Sequence, residues 1–566
     1  MSLIDKGLAS PLPVHDVPLH DLESSSRAAD RRFSSMSSSF STHNHNHNDS
    51  FQEYLSHLLD MAEAFCTKVA IVITPSYLQQ YVGGTPRPAA KPHAIAALDG
   101  LRGWACLLVF NFHFLFTYTW KVALGWGFNG ENFALWQLPI VHMLVSGHIM
   151  VAIFFVISGY VLSYKPLKLI RSRAWEQTFT TLASATFRRA LRLYIPSFVG
   201  ITLVFLAVRL GAFHPSRRVL VEGHTILGTN EQHPPIMRSF TKQFRDGYST
   251  LAQLMDPFNW SLYYNNYNPH LWTIPVEFRS SIVLFLTILG TSRLATPIRI
   301  SLVSGLIWFC MRFGRWDVVL FLSGMLLAEA DLIHGTWEQR PTPASTSSST
   351  TTTATIDDDP KPQLRRFLPA KSHSYHYPVL SRLSTRRIPY RNIWFALFII
   401  GLYLGSTPNT GYKWTPFYMW TWKVTPKTYP EPHRFPQTIG AILIVASINH
   451  SPEIQRLFTN RLSQYLGQIS FAFYIVHGPI LHGLGYALMP RLWAITGRAT
   501  NFQAGLAYLL GWMICLPIAL WAGDLFWRAV DIPSVRFARW VEEKVIVKGP
   551  VSVSRPAPVS SGERRD

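Results

Sequence analysis

The chain has 566 residues, of which 48% are hydrophobic and 15% are charged, whereas about 25% of the residues of a soluble globular protein are charged. Its formal net charge is +20. The Lys and Arg residues nevertheless lie mostly in loops between apolar blocks and form no stripe with interleaved aromatic residues, which argues against nucleic-acid binding. We therefore expect an integral membrane protein surrounded by membrane lipids, including anionic head groups.

The N-terminal residues 1–92 are expected to be a mostly disordered cytosolic tail. They are largely polar and contain the run His43–Asn48, for which disorder is favoured over metal binding. One apolar stretch, 65–73, is too short to cross a bilayer and is expected to form a short interfacial helix. The four cysteines match neither a disulfide framework nor a zinc-binding spacing.

Ten apolar segments follow this tail. They predict an all-α fold, a polytopic membrane helix bundle of about ten transmembrane helices with disordered tails, within residues 93–535. We expect this multi-pass domain to lie in an endomembrane or in the plasma membrane. The predicted spans cover residues 97–120, 143–163, 189–210, 275–291, 298–312, 314–334, 391–406, 436–450, 465–489 and 504–527.

Basic residues in the loops predict the orientation of the bundle. The connection after the second span and the linker 335–390 are rich in Lys and Arg. Both are therefore placed on the cytosolic side, together with the two termini and the C-terminal tail 536–566. Much of the linker consists of Ser, Thr and Pro, so it is expected to be disordered. The opposite side carries the loops 211–270 and 407–435, whose aromatic residues favour a packed cap over stacking faces for a sugar.

The first span carries Arg102 and His113, eleven residues apart. Eleven residues make three helical turns plus about 20°, so both side chains should lie on one helix face, roughly 16 Å apart along the axis. We expect them to point into one shared cavity. Arg102 is either functional or a cytosolic anchor that Asp99 balances from three residues away. His113 is either a structural hydrogen-bonding residue or a general base.

The second span contains the stretch 154–160, in which Ser158 and Gly159 are small. Small residues allow helices to approach closely, and this packing role is favoured over a nucleophilic serine, since no local base or oxyanion donor is evident.

At the start of the third span, Arg188 and Arg192 share a helix face. They either anchor the helix on the cytosolic side or bind phosphate, which suits the rigid donor fork of Arg.

The fourth and ninth spans carry further polar residues. Glu277 lies in an apolar run and could orient an imidazole or form a structural ion pair between helices. His270 and Trp272 lie at the outer interface, where an acceptor molecule would arrive, although Trp272 could equally be an aromatic-belt anchor. His477 falls in mid-membrane before a Gly-Pro pair, and a structural role is slightly favoured.

Together these motifs resemble the acyltransferase 3 family of integral membrane acyltransferases. The resemblance implies a bundle of about ten helices. It also implies transfer of an acyl group, often acetyl, from a cytosolic thioester donor to a hydroxyl of a sugar, lipid or small molecule. One departure is the stretch 151–153, where family members often carry Gly-Val-Asp. By motif match the implied functional residues are Arg102, His113, Arg188, Arg189 and Arg192. The matching stretches are 98–105 with His113, 154–160, 188–196, 270–277 and 474–479.

The sequence therefore predicts a membrane O-acyltransferase that uses acyl-CoA, in the first instance acetyl-CoA, as co-substrate. No permanently bound cofactor and no metal are expected. A transporter and a catalytically silent scaffold are the alternatives, because buried charges also mark transport paths. The predicted site comprises His113 as general base, Glu277 and Asp99 as orienting or charge-balancing carboxylates, Arg102, Arg188, Arg189 and Arg192 for the donor, and His270, Trp272 and His477 for the acceptor.

Overall fold

The computed structural model describes residues 47–81, 95–221, 233–336 and 390–546, and within these ranges the chain forms helices and turns but no strand. The α-helices, numbered in chain order, are α1 His47–Ile73, α2 Ala96–Phe116, α3 Gly147–Arg171, α4 Trp175–Arg209, α5 His214–Val221, α6 Phe240–Leu254, α7 Thr273–Thr291, α8 Thr296–Arg312, α9 Trp316–His334, α10 Tyr390–Gly405, α11 Met419–Val424, α12 Arg434–His450, α13 Pro452–Phe458, α14 Arg461–Ile480, α15 Tyr486–Thr496, α16 Asn501–Phe526 and α17 Ile532–Val545.

Short 3-10 and π turns connect some of these helices. Two π turns link α14 to α15 and α16 to α17, so each of these pairs is almost continuous. The 3-10 helices are Gln79–Tyr81, Trp120–Ala123, Phe128–Gly130, Leu135–Gln137, Val141–Val145, Pro269–Trp272 and Tyr412–Trp414, and the π turns are Leu481–Gly485 and Trp527–Asp531.

All ten apolar segments of the sequence are helical, as α2, α3, α4, α7, α8, α9, α10, α12, α14 and α16. The helix α2 has 21 residues but contains Asp99, Arg102 and Asn111, which lower its mean hydropathy, and it is not among the stretches apolar enough to cross a membrane. The all-helical membrane fold is confirmed, whereas the count of about ten spans and the cytosolic termini stay predictions. Within the described ranges the stretches long and apolar enough to cross a membrane number five: Gly147–Arg171, Trp175–Arg209, Pro269–Thr291, Arg461–Thr496 and Asn501–Val545.

The helices α2 and α3 lie at the centre of the bundle. The helix α3 packs along α9 and α2 packs along α14, while α2 and α3 also contact each other. Glycine permits both approaches, since a Cβ at Gly103 would lie 2.4 Å from the backbone nitrogen of Gly467, and one at Gly159 would lie 2.2 Å from the carbonyl oxygen of Phe321. The packing role predicted for Gly159 is therefore confirmed.

The aromatic loop before α7 packs against the bundle. The Trp260 ring lies between the guanidinium groups of Arg279 and Arg315, 4.3 Å from each. Both guanidinium groups are in turn paired with Asp317, at 3.2 and 2.7 Å. This cation–π and ion-pair arrangement fits the packed cap that the sequence favours for this side.

The N-terminal helix α1 is longer than the short helix predicted over residues 65–73. It begins at His47, and its end is tied to the last predicted span, because the Trp521 indole donates a hydrogen bond to the Ile73 carbonyl at 2.7 Å. The predictions of disorder for residues 1–46, for most of the linker 335–390 and for residues 547–566 lie outside the described residues.

Replacing Gly159 by alanine tests the close contact between α3 and α9. The added methyl group would meet backbone rather than a movable side chain, and overpacking of this kind costs about 1–3 kcal/mol. We expect a lower thermal unfolding midpoint for the purified protein in detergent. Gly305→Ala is the matched control, since nothing lies within 4 Å of its Cβ position. Equal midpoints for the two variants would contradict the assignment.

Candidate active site

A buried ion pair joins α4 to α7. The Arg189 guanidinium lies 2.9 Å from Oε1 of Glu277, and the hydroxyl of Ser158 on α3 donates to the same oxygen at 3.0 Å. All three residues are buried. An ionised carboxylate in an apolar bundle is costly unless it is paired and hydrogen-bonded, and these two partners explain how Glu277 is tolerated. Glu277 therefore forms an ion pair between helices, which is one of the two roles predicted for it.

Arg102 lies beside this ion pair. Its side chain is 95% buried and lines a cavity of about 40 Å³, which we call the core cavity, together with Ser158, Glu277, Thr273 and Tyr474. Its Nη1 atom has no hydrogen-bond partner among the residues that the structure describes. A buried guanidinium donor without a protein partner is able to bind an incoming acceptor group.

Arg188 faces away from the bundle centre. It lines an open pocket of about 580 Å³ with Lys165, and its Nε lies 3.2 Å from a carboxylate oxygen of Glu542 on α17. The sequence singled out Arg188 but missed Glu542, because nothing near residue 542 indicates which helix it contacts.

Arg192 is half-buried one turn further along α4. Asp99 is half-buried at the start of α2, where its carbonyl packs against Gly467.

Three imidazoles meet between α2, the 3-10 helix before α7, and α14. We call His113, His270 and His477 the histidine cluster. The ring centroids of His113 and His270 are 3.9 Å apart, those of His270 and His477 are 4.7 Å apart, and those of His113 and His477 are 5.5 Å apart. The sequence marked each residue separately, but it gave no sign that they are neighbours.

Backbone groups and a glycine hold the histidine cluster in place. Nδ1 of His477 lies 2.7 Å from the Tyr474 carbonyl, which fixes the ring orientation and assigns the proton to Nδ1. A Cβ at Gly478 would lie 2.2 Å from Nδ1 of His270. Glycine at this position is therefore what lets the His270 ring reach its neighbours.

The histidine cluster is also able to hold a metal ion. One ring nitrogen from each residue lies within 4.8 Å of the other two, and three imidazoles with an open fourth position are a known zinc ligand set. That no metal is needed stays a prediction.

His113 and His270 line a cavity of about 440 Å³, which we call the aromatic cavity. His433, from the loop before α12, also lines it, and burial together with the adjacent Arg434 lowers the pKa of His433 to about 3. This imidazole is therefore neutral at ordinary pH. The complete lining is Phe112, His113, Phe116, Trp120, Ala123, His148, Tyr264, Pro269, His270, Trp272, Asn409, Thr410 and His433.

The expectation that Arg102 and His113 point into one shared cavity is wrong. Arg102 lines the core cavity, whereas His113 lines the aromatic cavity. Between them the Tyr474 hydroxyl donates to the His270 carbonyl and lies 2.7 Å from the Thr273 hydroxyl. This hydrogen-bonded bridge joins α14 to the start of α7, and the sequence pattern of α2 alone could not reveal it.

Comparison with known proteins found relatives that are named acyltransferases. O-acetyltransferase PaAT-1 of Phomopsis amygdali is 29% identical over 491 residues, covering 84% of this chain and 89% of that protein. Acyltransferase R4 of Phoma sp. is 25% identical and acyltransferase clz18 of Cochliobolus lunatus 24%, each covering 79% of this chain and 95% of the relative. No solved structure matches significantly. The acyltransferase 3 family model, described as an acyltransferase domain, matches residues 95–528, and the chain therefore belongs to that family of acyltransferases.

Proposed function

We propose that this protein is an O-acyltransferase that moves an acyl group, in the first instance acetyl, from cytosolic acyl-CoA to a hydroxyl-bearing acceptor. The observation that carries the proposal is the contact of three imidazoles, two of which, His113 and His270, line the aromatic cavity. One relative bears the name O-acetyltransferase. Family membership favours this enzyme over the transporter and the silent scaffold.

In this mechanism His113 takes the proton of the acceptor hydroxyl. The oxygen then attacks the thioester carbonyl, the carbon–sulfur bond breaks, and the proton on His113 passes to the departing thiolate. General-base assistance of this kind contributes about 10²–10⁴-fold to the rate. His270 contacts the His113 ring and limits the orientations that it can adopt. His477 lies behind both rings and is held by its own backbone hydrogen bond.

The donor is bound through cations at the other end of the bundle. Arg188 and Lys165 line the open pocket, where they would contact the phosphates of acyl-CoA, with Arg192 one turn further along. Arg is suited to phosphate because its planar fork donates two parallel hydrogen bonds. Arg102 offers Nη1 to the core cavity, and Glu277 balances the charge of Arg189. Asp99, near the start of α2, balances the charge of Arg102 three residues further along the helix.

Replacing His113 by alanine tests the general base. We expect normal abundance and an acyl-transfer rate lower by about 10²–10⁴-fold, because the acceptor proton loses its base. Product formation by the purified full-length chain is the measurement. His214→Ala is the control, since this histidine is exposed and lies outside the cluster. A metal-binding cluster would instead show activity lost to a chelator and restored by zinc, which would contradict the base assignment.

Gly478→Ala tests the geometry of the histidine cluster without removing an imidazole. The new methyl group would displace the His270 ring, so we expect acyl transfer to fall by at least about tenfold in an abundant, folded protein. Gly483→Ala is the matched control five residues further along, where a Cβ makes only an ordinary contact of 3.8 Å with Phe213. Full activity in Gly478→Ala would show that the position of His270 does not matter.

Arg188→Lys tests donor binding. Loss of one charge-assisted hydrogen bond costs about 1.5 kcal/mol, so the KM for acetyl-CoA should rise about tenfold with kcat nearly unchanged. Steady-state kinetics at saturating acceptor give both constants. Arg312→Lys at the exposed end of α8 should leave both unchanged. If the donor KM is unaltered in both Arg188→Lys and Arg192→Lys, these two arginines do not bind the phosphates of the donor.

A further inference from the structure

The lining of the aromatic cavity differs from that of the open pocket that contains Arg188 and Lys165. Its walls are mainly rings, contributed by the end of α2, the turn that follows it and the segment before α7. Flat, rigid aromatic faces bury apolar surface at a low cost in conformational entropy. The aromatic residues other than histidine are Phe112, Phe116, Trp120, Tyr264 and Trp272.

Among the described residues that line the cavity, none is Asp, Glu, Lys or Arg. Apart from the imidazoles, the non-aromatic polar groups are the side chains of Asn409 and Thr410, which lie together on one wall. His433 is kept neutral by its low pKa. A charged ligand would therefore leave water without a compensating partner, which is costly.

The number of polar groups also limits a polyhydroxylated ligand. A sugar carries hydroxyl groups around its whole ring, and each buried hydroxyl without a partner costs about 1–3 kcal/mol. Partners come from the imidazoles, from Asn409 and Thr410, and from the polar edges of Tyr264, Trp120 and Trp272, whereas the faces of the rings offer no hydrogen-bonding group. The volume of about 440 Å³ lies within the range of about 300–1,000 Å³ typical of sites for drug-sized molecules.

We propose that the acceptor is an uncharged alcohol with a largely apolar carbon skeleton of several rings, bound in the aromatic cavity with its reacting hydroxyl at His113. This inference rests on the proposed acyl transfer and adds the chemical class of the acceptor. Asn409 and Thr410 bind a second polar group of that molecule. The phosphates of acyl-CoA have no counter-charge in this cavity, so the donor does not compete for it.

The test compares two probe alcohols with the purified full-length chain in lipid nanodiscs. Testosterone represents an uncharged polycyclic alcohol and methyl glucoside a polyhydroxylated one. Released CoA thiol and the mass of the acylated alcohol are both measured. We expect testosterone to be favoured in kcat/KM on the order of 100-fold, about tenfold for each of two hydroxyl groups of the glucoside that would lack partners.

The outcomes separate this inference from the proposed function. Efficient acylation of the glucoside with testosterone inert would overturn the acceptor class and leave acyl transfer intact. Absence of thiol release with every acceptor, and with water, would overturn acyl transfer itself. Binding of radiolabelled testosterone to the His113→Ala variant then decides whether the cavity takes the polycyclic alcohol, because that measurement requires no turnover.

Two cavity variants locate the binding site. Phe116→Ala removes an aromatic wall, so the KM for testosterone should rise about tenfold while the KM for acetyl-CoA stays constant. Thr410→Phe fills part of the cavity and should block acylation of testosterone. Phe133→Ala is the matched control, because Phe133 is exposed in the same outer segment and does not line the cavity. Unchanged acceptor KM values in both cavity variants would place the acceptor elsewhere.

Discussion

The structure depends on one constraint: an ionised side chain that is buried in an apolar bundle needs a partner of opposite charge. Each pair links two different helices, so it fixes their relative positions as well as neutralising a charge. Arg102 is buried as well and lines the core cavity, and its Nη1 atom has no hydrogen-bond partner in the described part of the chain. The buried pairs are Arg189 with Glu277, Arg279 with Asp317 and Arg299 with Glu329.

The two cavities divide the proposed reaction between two chemical environments. The core cavity is lined by a guanidinium and a carboxylate, whereas the aromatic cavity is lined mainly by aromatic and imidazole rings. The hydrogen-bonded bridge of Tyr474, Thr273 and the His270 carbonyl lies between them. On the proposed mechanism the acyl group has to pass this bridge.

Sequence reasoning found the helices because length and apolar composition are local properties. Each of the ten predicted segments is helical. It also marked His113, His270 and His477 one at a time, since a polar residue in an apolar run stands out. It could not bring them together, because their contact depends on how α2 and α14 cross and on the missing side chain of Gly478. The partner of Arg188, Glu542, lies more than 350 residues away and was missed for the same reason.

Local patterns also misled where an expectation needed three-dimensional information. The common face of Arg102 and His113 follows from helical geometry, but a common face does not imply a common cavity. The outcome depends on Tyr474, which fills the space between them from another helix. The start of α1 was missed for a different reason. The residues from His47 onward are polar, and hydrophobicity gives no signal for a helix that buries little apolar surface.

The distribution of charge gives the proposed reaction its direction. Lys165, Arg188 and Glu176 line one pocket, whose charge is positive on balance, while none of the described residues that line the aromatic cavity is Asp, Glu, Lys or Arg. A thioester donor with several phosphates is attracted to the first and excluded from the second, and an apolar alcohol has the opposite preference. Two reactants of such different polarity cannot exchange sites, so each approaches the histidine cluster and the bridge from its own side. Selectivity for the acceptor then follows from the lining of one cavity, independently of how the donor is bound.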